Sequence, residues 1–408
     1  MPEGVGTVPR VTLSDIERAR EVLAGVSIYT PMQNSRLLSA MAGGSVRLKL
    51  ENLQRTGSFK PRGAYVRISR LSAEERALGV VAASAGNHAQ GVALSAQLLG
   101  IEATVFMPEG APIPKVNATR GYGARVVFHG PYLDQALVEA KRFAAQTGAV
   151  FIPPYDHEDI VAGQGTCGLE ILEQAPDVRT VVVPTGGGGL LAGVAIAVKA
   201  HRPDIRVVGV QAAGAAAFPP SLACGSPVQL DSMSTIADGI AVGRPGDITF
   251  QAVREHVDDC LTVSEDSLSR ALLMLVERAK QIVEPAGAAG FAAVLDDPTG
   301  FDTPAVVVLS GGNIDPLLLG KVIRQGMAAA GRYLRLDVCI PDLPGGLATL
   351  LADLAEVGAN VIEVAHERIS PSLHLQEVEV ALQLETRGEE HAALVLDRLH
   401  QRGYRVAT

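Results

Sequence analysis

Three times along the chain a nearly unbroken apolar run enters a glycine-rich turn and then a helical pattern. This repetition narrows the possible folds more than any other feature. The first unit is Val80-Val-Ala-Ala-Ser84-Ala-Gly-Asn-His88, with Ala89 to Leu98 as helix. The second is Val181-Val-Val-Pro-Thr185-Gly-Gly-Gly-Gly189, followed by Leu190 to Ala200. The third is Ala305-Val-Val-Val-Leu-Ser310-Gly-Gly-Asn313, followed by a helix from about Asp315. Strands that are apolar on both faces belong to parallel sheets covered by helices. In such open α/β sheets ligands lie beyond the carboxyl ends of the strands, the position that all three turns occupy. Helix amino ends and successive backbone N–H groups make these turns anion sites. Four glycines in a row bring the backbone closest to a phosphate; as a plain turn they would cost backbone entropy without return.

Gly187, Gly189 and Ala192 also fit G-x-G-x-x-A after a strand, the first half of a dinucleotide fingerprint. The second half fails. The next strand, read as Ile205 to Val210, ends at Gln211, where a ribose-binding acid belongs.

A lone lysine stands between small residues and a proline in Glu51-Asn-Leu-Gln-Arg-Thr-Gly-Ser-Phe-Lys60-Pro-Arg-Gly-Ala64. A residue before proline is pushed out of the helical region, and proline suits the first turn of a helix. Lys60 is thus expected at the mouth of a helix beginning near Pro61. There the positive end of the helix dipole favours the neutral amine, the form able to attack an aldehyde. On this segment alone, a surface lysine at a helix start remains an open alternative.

At 408 residues the chain has room for two or three domains of roughly 100–200 residues. Apolar residues make up 47% and charged residues 19%, with 43 glycines and no tryptophan, which fits an α/β enzyme body and excludes a disordered or fibrous chain. The net charge of -9 gives no basic surface for nucleic acid or anionic lipid. Cys167, Cys224, Cys260 and Cys339 form no CxxC pair and read as reduced thiols of a cytoplasmic protein. Met1 to Arg10 has no apolar run and is not read as a secretory signal. Thr180 to Val198 is uncharged and long enough to span a membrane, but its four glycines and Pro184 argue against that.

Residues 13 to 24 read as a helix opening on a serine cap, and Val46 to Leu50 as a short strand entering the lysine loop. From Arg332 the units shorten. Tyr333 to Ile340 alternates as a strand, Leu347, Leu350, Leu351 and Leu354 line a helix that Gly358 can end, and Asn360 to Ala365 is a second strand. Val378, Val380, Leu382 and Leu384 alternate as a third. A helix carrying Ala392, Val395, Leu396 and Leu399 ends at Gly403, and Tyr404 to Ala407 closes the sheet. The order βαββαβ is the ferredoxin-like plan, with Gln325 to Gly331 as linker.

Taken together, Ser58-Phe-Lys60-Pro-Arg-Gly63, Ser84-Ala-Gly-Asn-His-Ala-Gln-Gly91, Gly186 to Gly189 with Leu190, Val283-Glu-Pro-Ala-Gly287 and Ser310-Gly-Gly-Asn313 resemble the threonine dehydratase family. These are pyridoxal-phosphate enzymes of the tryptophan-synthase-β fold type, and the resemblance covers roughly residues 10 to 325. The tail, with Asp342-Leu-Pro-Gly-Gly346 and Gly358-Ala-Asn-Val-Ile362, resembles a single ACT domain. The resemblance implies an α/β catalytic domain over 1–328, two-lobed with parallel-rich sheets, its smaller lobe of about 50–155 inserted in the larger. An α+β ACT-like regulatory domain would follow over 332–408.

The resemblance also implies roles. Lys60 would hold pyridoxal 5'-phosphate through its amine and, once displaced by substrate, take the Cα proton. The amides of Gly186, Gly187, Gly188 and Gly189, with Leu190, would hold the phosphate. Asn87 would bond the ring hydroxyl. Ser84, with Ala85, Gly86, Asn87 and His88, would receive the substrate carboxylate. Ser310 would face the pyridine nitrogen, where a neutral hydroxyl makes the ring a weaker electron sink than an aspartate would. The implied reaction is loss of water from threonine or serine, giving ammonia and 2-oxobutanoate or pyruvate. His88 reads as a structural neighbour of the loop, Glu284 as orienting the cofactor or a loop, and Arg62 as a surface pair partner.

On the same scaffold a serine racemase or hydroxyaspartate dehydratase is the rival enzyme, and an amino-acid sensor is the rival outside catalysis. Racemising members of the resembled family carry serine where this chain has Ala85. Members that bind a divalent cation use carboxylates where this chain has Gln211 and Ala217, so no metal is expected and activity should survive chelation. Expected partners are an amino-acid substrate, an amino-acid effector at the tail, and further copies of the chain in a homodimer or homotetramer.

Overall fold

Six strands form the larger sheet, side by side in the order Met32–Asn34, Val46–Lys49, Ala305–Val308, Thr180–Pro184, Arg206–Ala212 and Asp259–Val263. The first pairs antiparallel and every other neighbour is parallel. A second, wholly parallel sheet orders Arg125–Phe128, Ala103–Met107, Val80–Ala83 and Val150–Phe151. Its strands fall in sequence between Val46–Lys49 and Thr180–Pro184, so the smaller lobe is an insertion in the larger. The computed structural model describes residues 8–329, 331–367, 374 and 376–407.

The apolar runs are buried on both faces, as parallel strands require. Val181, Val182 and Val183, like Val306, Val307 and Val308, have no exposed surface. The helix Gly189–His201 is buried from Gly189 to Val198, so the segment 180–198 is a strand, a turn and a core helix. No helix among the described residues is long and apolar enough to cross a membrane. The first helix, Leu13–Val22, is capped by Thr12 rather than by the expected serine, because the Asp15 carboxylate accepts the Thr12 amide at 2.9 Å.

The helix Glu158–Gln174 binds the lobes together through its glycines. A Cβ on Gly163 would lie 2.6 Å from the Arg62 carbonyl, in the helix Lys60–Ser69. A Cβ on Gly193, in the helix Gly189–His201, would lie 2.4 Å from the Val161 carbonyl. Hydrogen at these positions lets three helix backbones meet, which fixes the lysine helix against the tetraglycine helix.

Arg62 is not at the surface. It has no exposed area, and its guanidinium forks onto Glu51 at 2.8 and 2.9 Å. Its remaining nitrogen donates to Glu170 at 2.6 Å and to Thr166 at 3.1 Å. Lys49, equally buried, reaches Glu170 at 2.5 Å and the Thr30 carbonyl at 2.8 Å. Two cations thus neutralise two carboxylates inside the core, Arg62 lying two residues beyond Lys60 on the same helix.

By internal contacts the chain divides into two units, Met1–Asp315 and Pro316–Thr408. The helix Pro316–Ala329 groups with the second unit, and it occupies residues 325–329 of the stretch read as linker. Within that unit four antiparallel strands lie in the order Asn360–Glu367, Glu377–Glu385, Tyr333–Pro341 and Arg405–Ala407. With the helices Gly346–Glu356 and Glu389–Gln401 this is the ferredoxin-like plan. Val378, Val380, Leu382 and Leu384 all face its core, and the strand Asn360–Glu367 lies at an edge with Ile362 and Val364 exposed.

Candidate active site

Lys60 opens the helix Lys60–Ser69, with Pro61 in its first turn, as the Lys-Pro pair predicts. Its amine donates to the Pro154 carbonyl at 2.8 Å and sits 5.2 Å from the centre of the Phe59 ring. Burial pushes that amine down to about 8, against an upward pull from the Glu284 charge. A larger share of Lys60 is therefore neutral near pH 7 than of an ordinary lysine.

The turn 84–88 closes on the same place. Asn87 begins the helix Asn87–Leu99, and a Cβ on Gly91 would meet the Lys60 backbone at 3.2 Å. Ser84 accepts the Gly86 amide at 3.1 Å, which folds the turn on itself and leaves Ala85 and Gly86 partly exposed. Asn87 donates to the Glu284 carboxylate and accepts from Asn313 at 2.8 Å. Asn313 also donates to the Thr56 carbonyl at 2.6 Å, tying the third turn to the lysine loop. Ser310 is buried, with its carbonyl taking the Phe59 amide at 3.2 Å, and Ser58 bridges to Gly311. The lysine loop and two of the three glycine-rich turns are thus one hydrogen-bonded body.

Glu284 precedes the helix Pro285–Asp296, and its amide donates to the Gly311 carbonyl at 3.0 Å. A Cβ on Gly311 would lie 2.1 Å from the Glu284 carboxylate, so only glycine lets the two meet. Burial raises that carboxyl to about 7, helped by Asp238 and opposed by Lys115 and the Asn87 hydrogen bond. His88 turns away from the turn. Its Nε2 lies 2.9 Å from the Ile152 carbonyl, and burial, with the Lys60 charge nearby, pushes it down to about 3. It is a neutral packing residue in the free protein.

The tetraglycine turn reaches Lys60 through residues that carried no signal in the sequence. Pro154, which receives the lysine, is followed by Tyr155, whose ring lies against the turn. A Cβ on Gly187 would fall 2.5 Å from that ring, and one on Gly189 3.1 Å from the Tyr155 Cβ. Gly188 takes φ +95°, a left-handed value that favours glycine, with Phe218 and Thr249 behind it. A Cβ on Gly186 would lie 3.0 Å from the Ile240 backbone. Leu190 packs its side chain in the core, so its part in holding an anion falls to its amide. The only hint of this segment was the dipeptide Pro153-Pro154, a turn signal with no chemistry of its own. Gln211 is spent on structure, its side-chain carbonyl accepting the Phe218 amide at 2.8 Å.

The residues present suit pyridoxal phosphate. A buried lysine with a lowered amine is joined through Pro154 and Tyr155 to a backbone cradle in which a Cβ on Gly187 or Gly188 would collide and one on Gly186 or Gly189 would be tight. Beside it, the hydroxyls of Ser58 and Thr56 are buried without a hydrogen-bond partner among the described residues. Chain comparisons agree. The family model for "Pyridoxal-phosphate dependent enzyme" matches residues 25–311. An L-threonine ammonia-lyase of Thermotoga maritima is 45% identical over 396 residues, which is 97% of this chain and 99% of that one. The solved structure of maize serine racemase superposes with a TM-score of 0.73 at 36% identity, covering 79% of this chain and 99% of that one. A processed threonine deaminase isoform from Solanum lycopersicum gives a TM-score of 0.73 at 36% identity, covering 79% of this chain and 93% of that one. With its lysine pocket, its glycine cradle and these likenesses, the chain belongs to the pyridoxal-phosphate-dependent enzyme family.

Proposed function

We propose that this enzyme removes water and ammonia from L-threonine, and from L-serine as a second substrate, releasing 2-oxobutanoate or pyruvate. The observation that carries this is the joining of the buried, lowered-pKa Lys60 to the third turn, where the Phe59 amide donates to the carbonyl of the uncharged Ser310 at 3.2 Å. The bound cofactor supplies the electron sink that makes the substrate Cα–H acidic. Lys60 holds the cofactor and, freed by substrate, removes the Cα proton; an amine near pKa 8 is matched to that task close to neutral pH. The amides of Gly186 to Gly189 and Leu190 hold the phosphate, Asn87 the ring hydroxyl, and the turn from Ser84 to His88 the substrate carboxylate. Glu284 and Asn313 fix Asn87 from both sides. Ser310 offers the ring nitrogen no charge, which favours prompt loss of the β-hydroxyl over return of the proton to Cα. The released enamine takes up the water again as it hydrolyses to the 2-oxo acid and ammonia.

The test is release of 2-oxo acid from L-threonine, L-serine and their D-forms. Turnover of L-threonine with little from the D-forms is expected; no 2-oxo acid from either L-form refutes the reading. Inversion of Cα needs an acid or base on the face opposite the lysine, and the Ala85 methyl can be neither. The wild-type enzyme is expected to form no appreciable D-serine, and Ala85→Ser to begin to exchange or invert Cα, read as D-serine formed from L-serine. Substantial D-serine from the unmutated enzyme would favour the racemase reading suggested by the likeness to maize serine racemase.

The ferredoxin-like unit is proposed to be an ACT-like regulatory domain. The loop Asp342 to Gly345 leads into the amino end of the helix Gly346–Glu356, which can receive the carboxylate of an amino acid. The exposed edge strand Asn360–Glu367 supports pairing of two such units in a dimer or tetramer. An effector acts only by binding one state of the enzyme more tightly. Cutting the chain near Gly331 is therefore expected to leave a competent dehydratase that no longer responds to isoleucine or valine. Identical threonine saturation curves for intact and cut enzyme across a panel of amino acids would reduce the unit to an assembly element.

A further inference from the structure

The geometry points to Asp156 as a positioning residue for the phosphate cradle, acting on Gly187 through Thr249. This rests on the reading of the tetraglycine turn as the phosphate holder. Asp156 follows directly on Pro154 and Tyr155, the residues that touch Lys60 and Gly187. Its carboxylate accepts three amides at the start of the helix Asp247–His256: Asp247 at 3.0 Å, Ile248 at 3.0 Å and Thr249 at 3.3 Å. Gly246, just ahead of them, gives the carboxylate its seat; a Cβ there would lie 2.2 Å from the Asp156 carboxyl carbon. The helix so held presents Thr249 to the glycine turn. The Thr249 hydroxyl donates to the Gly187 carbonyl at 2.6 Å, and its Cβ stands 3.0 Å from where a Cβ on Gly188 would be.

A tetraglycine turn has no side chains with which to fix itself, and each glycine gains freedom when unrestrained. Its amides converge on an anion only if something holds the peptides in register. Here the holders are external: the Tyr155 ring on one side and the Thr249 hydroxyl on the other. Three charge-assisted bonds to one carboxylate are the strongest anchor available to that helix end. The Asp156 carboxylate spends its bonds on the amides of Asp247, Ile248 and Thr249, so its hold on the cradle runs through the Thr249 hydroxyl. The same short segment thus sets the lysine, by the Pro154 carbonyl, and the cradle, by Asp156.

The experiment titrates the apoenzyme with pyridoxal 5'-phosphate and, separately, with pyridoxal lacking the phosphate, following the cofactor absorbance and the 31P resonance of the bound ester. Asp156→Ala is expected to weaken the phosphate ester by about tenfold, the scale of a lost charge-assisted bond, to shift its 31P resonance, and to leave phosphate-free pyridoxal unchanged. Thr249→Val is expected to do the same, Thr249→Ser to restore wild-type affinity, and the double variant D156A/T249V to be no worse than the weaker single variant. If Asp156→Ala does not fold, Asp156→Asn, which keeps one acceptor oxygen, is expected to give a smaller loss of the same selectivity. A variant that lowers thermal stability while binding the phosphate ester normally, or that weakens both ligands equally, overturns the proposal, as does strict additivity of the two substitutions. Equal affinity of the wild-type apoenzyme for the two ligands would instead refute the cradle reading itself.

Discussion

Lys60→Ala is expected to lower the turnover of L-threonine by at least about a thousandfold, the upper part of the range for loss of a positioned general base, while the folded protein still binds the phosphate ester. The substitution removes the buried amine at the helix mouth, and the described side chains beside it are engaged elsewhere. His88 is held at the Ile152 carbonyl and pushed far down by burial. Glu284 titrates near 7 but is bound to Asn87. The measurement is kcat by 2-oxo acid release, with near-ultraviolet circular dichroism to verify the fold. A loss smaller than tenfold would assign proton removal to another group.

Arg62→Met is expected to destabilise the catalytic unit by about 3–5 kcal/mol, because removing one member of a buried ion pair leaves a charge without its partner. Burial pushes the Glu51 carboxyl up, and the charge and hydrogen bonds of Arg62 overcome that, so in the native protein it lies below its usual range. Without Arg62 burial prevails and the folded carboxyl binds its proton more tightly than in the unfolded chain. Such a group costs stability above its unfolded pKa and progressively less as pH falls toward it. The deficit of Arg62→Met in urea unfolding should accordingly be largest at pH 7–8 and shrink on acidification toward about 5. A pH-independent deficit below about 1 kcal/mol would mean that the core dispenses with this network.

Local chemistry made most of the fold legible in advance. The valine runs could be nothing but buried parallel strands, and the strict alternation from Val378 to Leu384 could serve only a one-sided antiparallel sheet. Lys60 at a helix mouth followed from Pro61 alone. Arg62 was misjudged because charge predicts exposure unless its partners are known, and Glu51 and Glu170 lie 11 and 108 residues away. Tyr155, Asp156 and Thr249 escaped notice for a related reason. Their importance comes from what they touch across the fold, and no spacing in the sequence brings residue 156 to residue 249.

Borohydride reduction of the cofactor-loaded enzyme, followed by peptide mapping, tests the central assignment most directly. The reduced pyridoxyl group is expected on Lys60 alone, in the peptide containing Ser58-Phe-Lys60-Pro-Arg. An adduct on any other lysine, or active enzyme with no adduct at all, would contradict it.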